Sequence, residues 1–259
     1  MAIKEPFDPI PAATLVVFRD GREGGPPEIL MVTRSRQLAF AGGMAVFPGG
    51  RVDPADHALA AKIDAVARDL EETAHRIAAV RETLEETGLA VGFAGHCDAS
   101  TAAAARQHVV TTGTLSAALD RCALTLDLTQ IVPFARWLPR GLGHGRIFDT
   151  RFYLADLGTG AVDIAVDETE NTNLFWITAA DALAAADRGE IAMIFPTRRN
   201  LERLALFGSF AEAKAHAEAT PQRTITPSIE TTAAGRVLRI PDDLGYPVTE
   251  EPMDKAMRG

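Results

Sequence analysis

The sequence predicts one mixed α/β domain, and three observations carry that prediction. Short apolar runs bounded by Gly and Pro recur along the chain and read as strands. Between them lie Ala-rich stretches with apolar residues at three- and four-residue intervals, the helical period. No internal repeat or low-complexity linker divides the 259 residues, so residues 1–259 read as a single domain. Hydrophobic residues at 47% and charged residues at 24% suit a globular protein with a sizeable core.

Residues 12–19 read as a buried strand and 28–33 as a second, joined by a turn rich in Gly and Pro at 21–27. Residues 41–50 form a short apolar strand bracketed by glycine pairs. Pro48 lacks the N–H of a continuing ladder, and the glycines let backbone approach a neighbour closely. From Asp56 to Thr87 the pattern is helical, with Gly88 as its stop. Residues 89–94 read as a strand, and 98–121, rich in Ala and Thr, as partly helical. Strands at 131–138 and 147–156 flank a glycine-rich loop from Pro139 to Gly145. A strand at 173–177 leads into a helix that Thr178 can cap and that ends near Gly189. Helices at about 197–207 and 209–218 follow Pro196, and the tail at 224–240 ends in a strand, Arg236-Val-Leu-Arg-Ile240.

Composition narrows the function. A net charge of −9 argues against extended nucleic-acid binding, which needs a basic face. No apolar run reaches the length of about 18 residues that suggests a membrane helix, and Met1-Ala-Ile-Lys-Glu-Pro6 has no signal-peptide pattern. Cys97 and Cys122 stand outside any C-x-x-C pattern, and the six histidines are scattered without metal-ligand spacing. The expected compartment is the cytoplasm.

The segment Arg81-Glu82-Thr83-Leu84-Glu85-Glu86-Thr87-Gly88-Leu89 carries the chemistry. On a helix, Glu82, Glu85 and Glu86 share one face, where like charges repel. Gly88 places Glu85 and Glu86 in the last turn, at the negative end of the helix dipole. A divalent cation reverses both penalties, and carboxylate oxygens suit Mg²⁺ or Mn²⁺. The pattern alone is also that of a solvated acidic face. Arg81, able to orient a carboxylate by a bidentate pair, and the turn Phe47-Pro48-Gly49-Gly50, able to offer a backbone carbonyl, favour the metal site.

This segment resembles the second half of the Nudix box, R-E-U-x-E-E-x-G-U, with Thr83 where an aliphatic residue U is usual. Gly50 resembles the opening glycine of the box. The usual box places that glycine 14 residues before the arginine; here 31 positions separate Gly50 from Arg81, an insertion of 17. Thr73 stands at the position of the box glutamate, with Glu72 beside it, and the role of that glutamate stays unassigned. The runs Leu30-Met-Val-Thr33-Arg34-Ser35-x-x-Leu38 and Gly43-Met-Ala-Val-Phe47-Pro-Gly-Gly50-Arg51-Val-Asp53-Pro-Ala-Asp56, with the long insertion, are similar to the coenzyme A and acyl-coenzyme A diphosphatase branches. So are Phe148-Asp-Thr-Arg151-Phe-Tyr-Leu-Ala155, Phe195-Pro-Thr197 and Ile240-Pro-Asp-Asp-Leu-Gly-Tyr246.

The resemblance implies an α/β fold, a mixed β-sheet sandwiched between helices (α/β/α). A helical insertion at about 54–72, a variable helical segment at about 98–128 and extra C-terminal helices over 196–259 would embellish it. It implies Mg²⁺ (or Mn²⁺) held by Glu82, Glu85, Glu86 and the Gly49 carbonyl, with Arg81 among the catalytic residues. The general base is Glu82, or Glu168 or Glu170 in an acidic turn that is as readily plain loop. Arg34, Arg36, Gly50 and Arg51 are the expected substrate contacts. Arg151 reads equally as a polar-out sheet residue and as a functional one, while Phe175 and Trp176 read as core or pocket wall rather than adenine stackers. The implied partner is a small nucleotide diphosphate, with no nucleic acid and no membrane, and a homodimer is left open. Coenzyme A or acyl-coenzyme A leads as substrate; an ADP-ribose- or NADH-type diphosphatase and a non-catalytic nucleotide-binding Nudix module are the alternatives.

Overall fold

Side-chain alternation decides the layering. Along the first strand, β1 (Ile10–Arg19), Ala13, Leu15 and Val17 face one side of the sheet and Val16 and Phe18 the other, all buried. A strand buried on both faces needs cover on both. The computed structural model describes residues 8–34, 43–63, 69–95, 97–142, 146–157, 171–233 and 235–256. In chain order after β1 come β2 (Glu28–Arg34), β3 (Ala45–Val46), β4 (Gly49–Arg51), α1 (Pro54–Ile63), α2 (Leu70–Thr87), α3 (Ala99–Thr112) and α4 (Leu115–Cys122). Then follow β5 (Val132–Trp137), β6 (Phe148–Asp156), β7 (Asn171–Thr178), α5 (Ala179–Asp187), α6 (Phe195–Leu204) and α7 (Phe210–Ala219). The last elements are β8 (Thr224–Ile225), β9 (Ser228–Thr232), β10 (Gly235–Arg239), β11 (Glu250–Pro252) and α8 (Met253–Ala256).

Among the described residues the main sheet is mixed and eight-stranded, in the order β3-β2-β1-β6-β5-β8, with β4 also on β1 and β7 also on β2. β1 runs parallel to β6 along its length, from Ile10↔Phe148 to Phe18↔Asp156. Its other edge is divided. β2 pairs at one end through Phe18↔Ile29, and β4 pairs at the other through Ala12↔Arg51 and Thr14↔Gly49. Pro48 makes the division: it cannot extend the ladder, and its carbonyl accepts from Leu15 N at 2.9 Å. The functional cleft opens at this split.

One face of the sheet packs Ala13, Leu15, Val17 and Leu30 against α1 to α4 through Leu59, Ile77, Val80, Leu84, Val109 and Ala118. The other packs Val16, Phe18, Met31, Phe134 and Leu154 against α5 to α7 through Ala182, Leu201, Leu204 and Ala213. Each fully buried side chain of this kind contributes about 1.5–3 kcal/mol relative to exposure. The mixed sheet between helical layers is as expected. Among the described residues no helix is long and apolar enough to cross a membrane.

Three local expectations are corrected. Asp56 to Thr87 is two helices, because Asp69 caps the second by accepting from Glu72 N at 3.0 Å. Residues 89–94 form no strand: Gly92 is left-handed at φ 81° and only the single bridge Phe93↔Leu126 forms, while Val91 and Phe93 fill the core. The tail is a separate three-stranded sheet, β11-β10-β9, that the lone strand at 236–240 did not announce. Thr178 caps α5 as read, accepting from Asp181 N at 3.0 Å.

His75, on α2, is 2% exposed, and its Nδ1 donates to the Glu71 carbonyl at 2.7 Å. Burial lowers its pKa below the ordinary 6.5, against the raising effect of that bond. A His with a lowered folded pKa takes up its proton more readily in the unfolded chain. Stability therefore falls as pH drops below 6.5. Urea midpoints between pH 7.5 and 5.5 check this, and His75→Gln should flatten the slope; equal slopes would contradict it.

Candidate active site

The glutamate helix ends as its sequence dictates. Gly88 adopts φ 77° and its N–H closes on the Leu84 carbonyl at 2.9 Å, a left-handed cap no side chain hinders. No basic residue lies in the last turn to offset the dipole. Thr83, at an aliphatic position of the pattern, is fully buried because its hydroxyl donates to the Ala79 carbonyl at 2.8 Å.

Arg81 is the hub. It is 3% exposed and donates twice to Asp56, Nε to Oδ1 at 3.0 Å and Nη2 to Oδ2 at 2.9 Å. Nη2 also reaches the Arg51 carbonyl at 2.9 Å, and Nη1 donates to Glu82 at 2.9 Å and lies 3.5 Å from Glu85. The bidentate partner is thus Asp56, not one of the three glutamates. Asp56, 1% exposed, also accepts from Asp53 N at 2.9 Å at the start of α1, where Pro54 begins the helix. Burial alone disfavours a charged Arg81, but the Asp56 hydrogen bond and the charges of Glu82, Asp56 and Asp53 outweigh it and raise its pKa. Burial pushes the Glu82 carboxyl up to about 7; Arg81 works against that rise and Glu85 adds to it. Glu86, 4% exposed, accepts from Gly49 N at 3.1 Å, tying α2 to β4. Gly50 must stay small, since a Cβ there would sit 2.4 Å from the Glu82 carboxylate.

These groups form one wall of a cleft of about 490 Å³. Glu82, Glu85, Glu86, Asp53, Arg51 and Arg81 are its charged lining, and Phe47, Trp137, Phe148, Phe152, Ile194 and Pro196 its apolar lining. Arg34, Gly49 and Gly50 line it as well. Arg36, Glu168 and Glu170 lie outside the described residues. Phe175 packs into the core on the α5–α7 side; Trp176 packs on the opposite side, under the Arg19 guanidinium at 4.4 Å. Neither lines the cleft. Arg151 pairs with Glu72, which also holds Arg76 at 3.1 Å, so both are engaged between β6 and α2.

The sequence reading missed Asp56, Arg146 and Thr197. Asp56 had a usable signal: counted forward from Gly50, rather than back from Arg81, it stands where the box glutamate belongs. Thr197 and Arg146 carry no such signal; α6 and the approach to β6 bring them to the cleft.

Among the described residues no three His, Cys, Asp or Glu side chains converge as a preformed cage. The Arg81 guanidinium sits between Glu82 and Glu85. The donor chemistry still fits a hard divalent cation: three carboxylates crowd a dipole-negative helix end, two of them at least 85% buried.

The NUDIX domain family matches residues 8–139. Among solved structures, the NUDIX hydrolase from Alicyclobacillus acidocaldarius is 28% identical at a TM-score of 0.68, covering 82% of this chain and 97% of that one. The NUDIX domain of Shewanella oneidensis NrtR complexed with ADP ribose is 14% identical at 0.44, covering 76% and 89%. A C. elegans Ap4A hydrolase binary complex is 19% identical at 0.37, covering 70% and 88%. Neither of the last two bears on the substrate of this chain. No curated protein matches.

Removing Asp56 strands a buried guanidinium, so Asp56→Ala should cost about 3–5 kcal/mol in urea unfolding. Asp53→Asn, whose half-exposed carboxylate lies 3.7 Å from the same cation, should cost under about 1 kcal/mol. Equal losses would contradict the hub.

Proposed function

The chain belongs to the NUDIX family of hydrolases, and from that premise we propose that it is a Mg²⁺- or Mn²⁺-dependent diphosphatase whose substrate is coenzyme A or acyl-coenzyme A. The products are 3′,5′-ADP and (acyl-)4′-phosphopantetheine. One observation carries the reading: the three glutamates, the Gly49-Gly50 turn, four arginines and several aromatic side chains line a single cleft. Its charged lining suits a diphosphate, and its apolar lining suits a substrate with an unphosphorylated, partly apolar arm. The whole chain is read as one domain, since the C-terminal elements supply part of that lining through Ile194 and Pro196.

Glu82, Glu85, Glu86 and the Gly49 carbonyl are the proposed metal-holding groups. When bound there, the cation supplies charge neutralisation at the diphosphate and lowers the pKa of water. The remaining steps rest on this chain's own residues. Asp56 holds Arg81, and Arg81 holds the Glu82 carboxylate against β4, where Gly50 leaves room for it. Arg34 and Arg51, both on the cleft, bind phosphate oxygens and orient the bond to be cleaved. The Glu82 carboxyl, with its pKa pushed up to about 7 by burial, is one proposed base; Glu168 and Glu170 are the alternative proposed bases. Phe47, Phe148 and Phe152 line the cleft and limit the access of water to it.

Glu86→Gln should lose nearly all Mg²⁺-dependent turnover while its circular dichroism stays that of the parent. Unchanged turnover sinks the metal site. Incubation of coenzyme A, acyl-coenzyme A, ADP-ribose and NADH with Mg²⁺, resolved by chromatography, tests the substrate. Faster release of 3′,5′-ADP from the coenzyme A compounds supports the assignment, and coenzyme A turning over no faster than ADP-ribose removes it.

A further inference from the structure

We infer that the N-terminus of α6, with the Thr197 hydroxyl, is a second anion subsite of the cleft and takes a phosphate monoester carried by the nucleotide apart from its diphosphate. This rests on the diphosphatase reading for its substrate and on separate residues for its chemistry. α6 is ten residues long, and its N-cap, Ile194, offers no side-chain cap. Pro196 in the first turn has no N–H, and the first bond of the helix runs from Arg198 N to Ile194 O at 3.1 Å. The N–H groups of Phe195 and Thr197 therefore begin the helix without an intrahelical acceptor, at the positive end of its dipole. Ile194, Pro196 and Thr197 all line the cleft.

The independent observation is Thr197 itself. It is 2% exposed, it borders the cleft, and its hydroxyl has no hydrogen-bond partner among the described residues. An unpaired hydroxyl at the edge of the cleft offers a donor and an acceptor to a ligand oxygen. The Arg34 guanidinium lines the same cleft, and its buried Nε likewise has no partner among the described residues. The arginines of α6 itself are engaged elsewhere: Arg198 with Asp187 and Glu202, Arg199 with Glu202 and Glu251, and Arg203 with the Phe134 carbonyl. A dianionic phosphate monoester accepts from N–H and O–H donors together, which a neutral arm does not.

The test compares 3′,5′-ADP with 5′-AMP by calorimetric titration of the full chain, its Thr197→Val variant and its Thr197→Ser variant. The parent should prefer 3′,5′-ADP by about tenfold or more, the scale of a hydrogen bond to a charged group. Thr197→Val keeps the shape and should lose most of that preference, and Thr197→Ser keeps the hydroxyl and should retain it. No preference in the parent, or the same preference in Thr197→Val, overturns the subsite. Mg²⁺-dependent hydrolysis of coenzyme A, followed on the same samples, separates the two readings. Hydrolysis without a phosphate preference removes the subsite alone. A Thr197-dependent preference without hydrolysis removes the diphosphatase reading and leaves the subsite.

Discussion

Arg81 is buried, and its guanidinium is shared among Asp56 of α1, the Arg51 carbonyl of β4 and Glu82 of its own helix, so three chain segments meet on one cation. A buried guanidinium with its partners removed costs several kcal/mol, which holds α1 and β4 against the glutamate helix. An apolar trio of similar volume could give equal stability. It could not hold the Glu82 carboxylate at Gly50 or keep the Arg51 carbonyl on the helix. The ion pair contributes placement more than stability. Placement is what clustered carboxylates need, because they repel one another and the helix dipole.

Much of this was legible in the sequence. Apolar runs between glycines gave the strands, and Pro48 gave the break that divides the edge of β1 between β2 and β4. The spacing of Glu82, Glu85 and Glu86 gave the acidic wall. What stayed hidden depends on contacts between distant segments. Asp56 lies 25 positions before Arg81, and only the count forward from Gly50, across the insertion, sets it apart from a surface aspartate at a helix start. The strand expected at 89–94 had the right composition but no partner beyond one bridge, and strand formation is decided by pairing.

The C-terminal elements reach the cleft through a buried polar cluster. Trp137, on the apolar wall, donates from Nε1 to Asn200 Oδ1 at 3.3 Å and to the Tyr246 oxygen at 3.2 Å, and Tyr246 donates to Asn200 at 2.8 Å. Tyr246 meets the Trp137 ring edge-on, with centroids 5.7 Å apart. Arg203 holds the Phe134 carbonyl at 3.1 Å from the same helix. The segment after β7 thereby braces part of the apolar lining of the cleft. A cleft with charged lining from β4 and α2 and apolar lining braced by α6 and the tail selects by both charge and shape.

The central claim is that Glu82, Glu85 and Glu86, held by the Arg81 hub, gather a divalent cation. Anomalous diffraction from crystals soaked in Mn²⁺ tests it without reference to any substrate. A manganese peak within coordination distance of these carboxylates is the predicted result. No peak there at saturating Mn²⁺, or a peak only elsewhere on the chain, would contradict it.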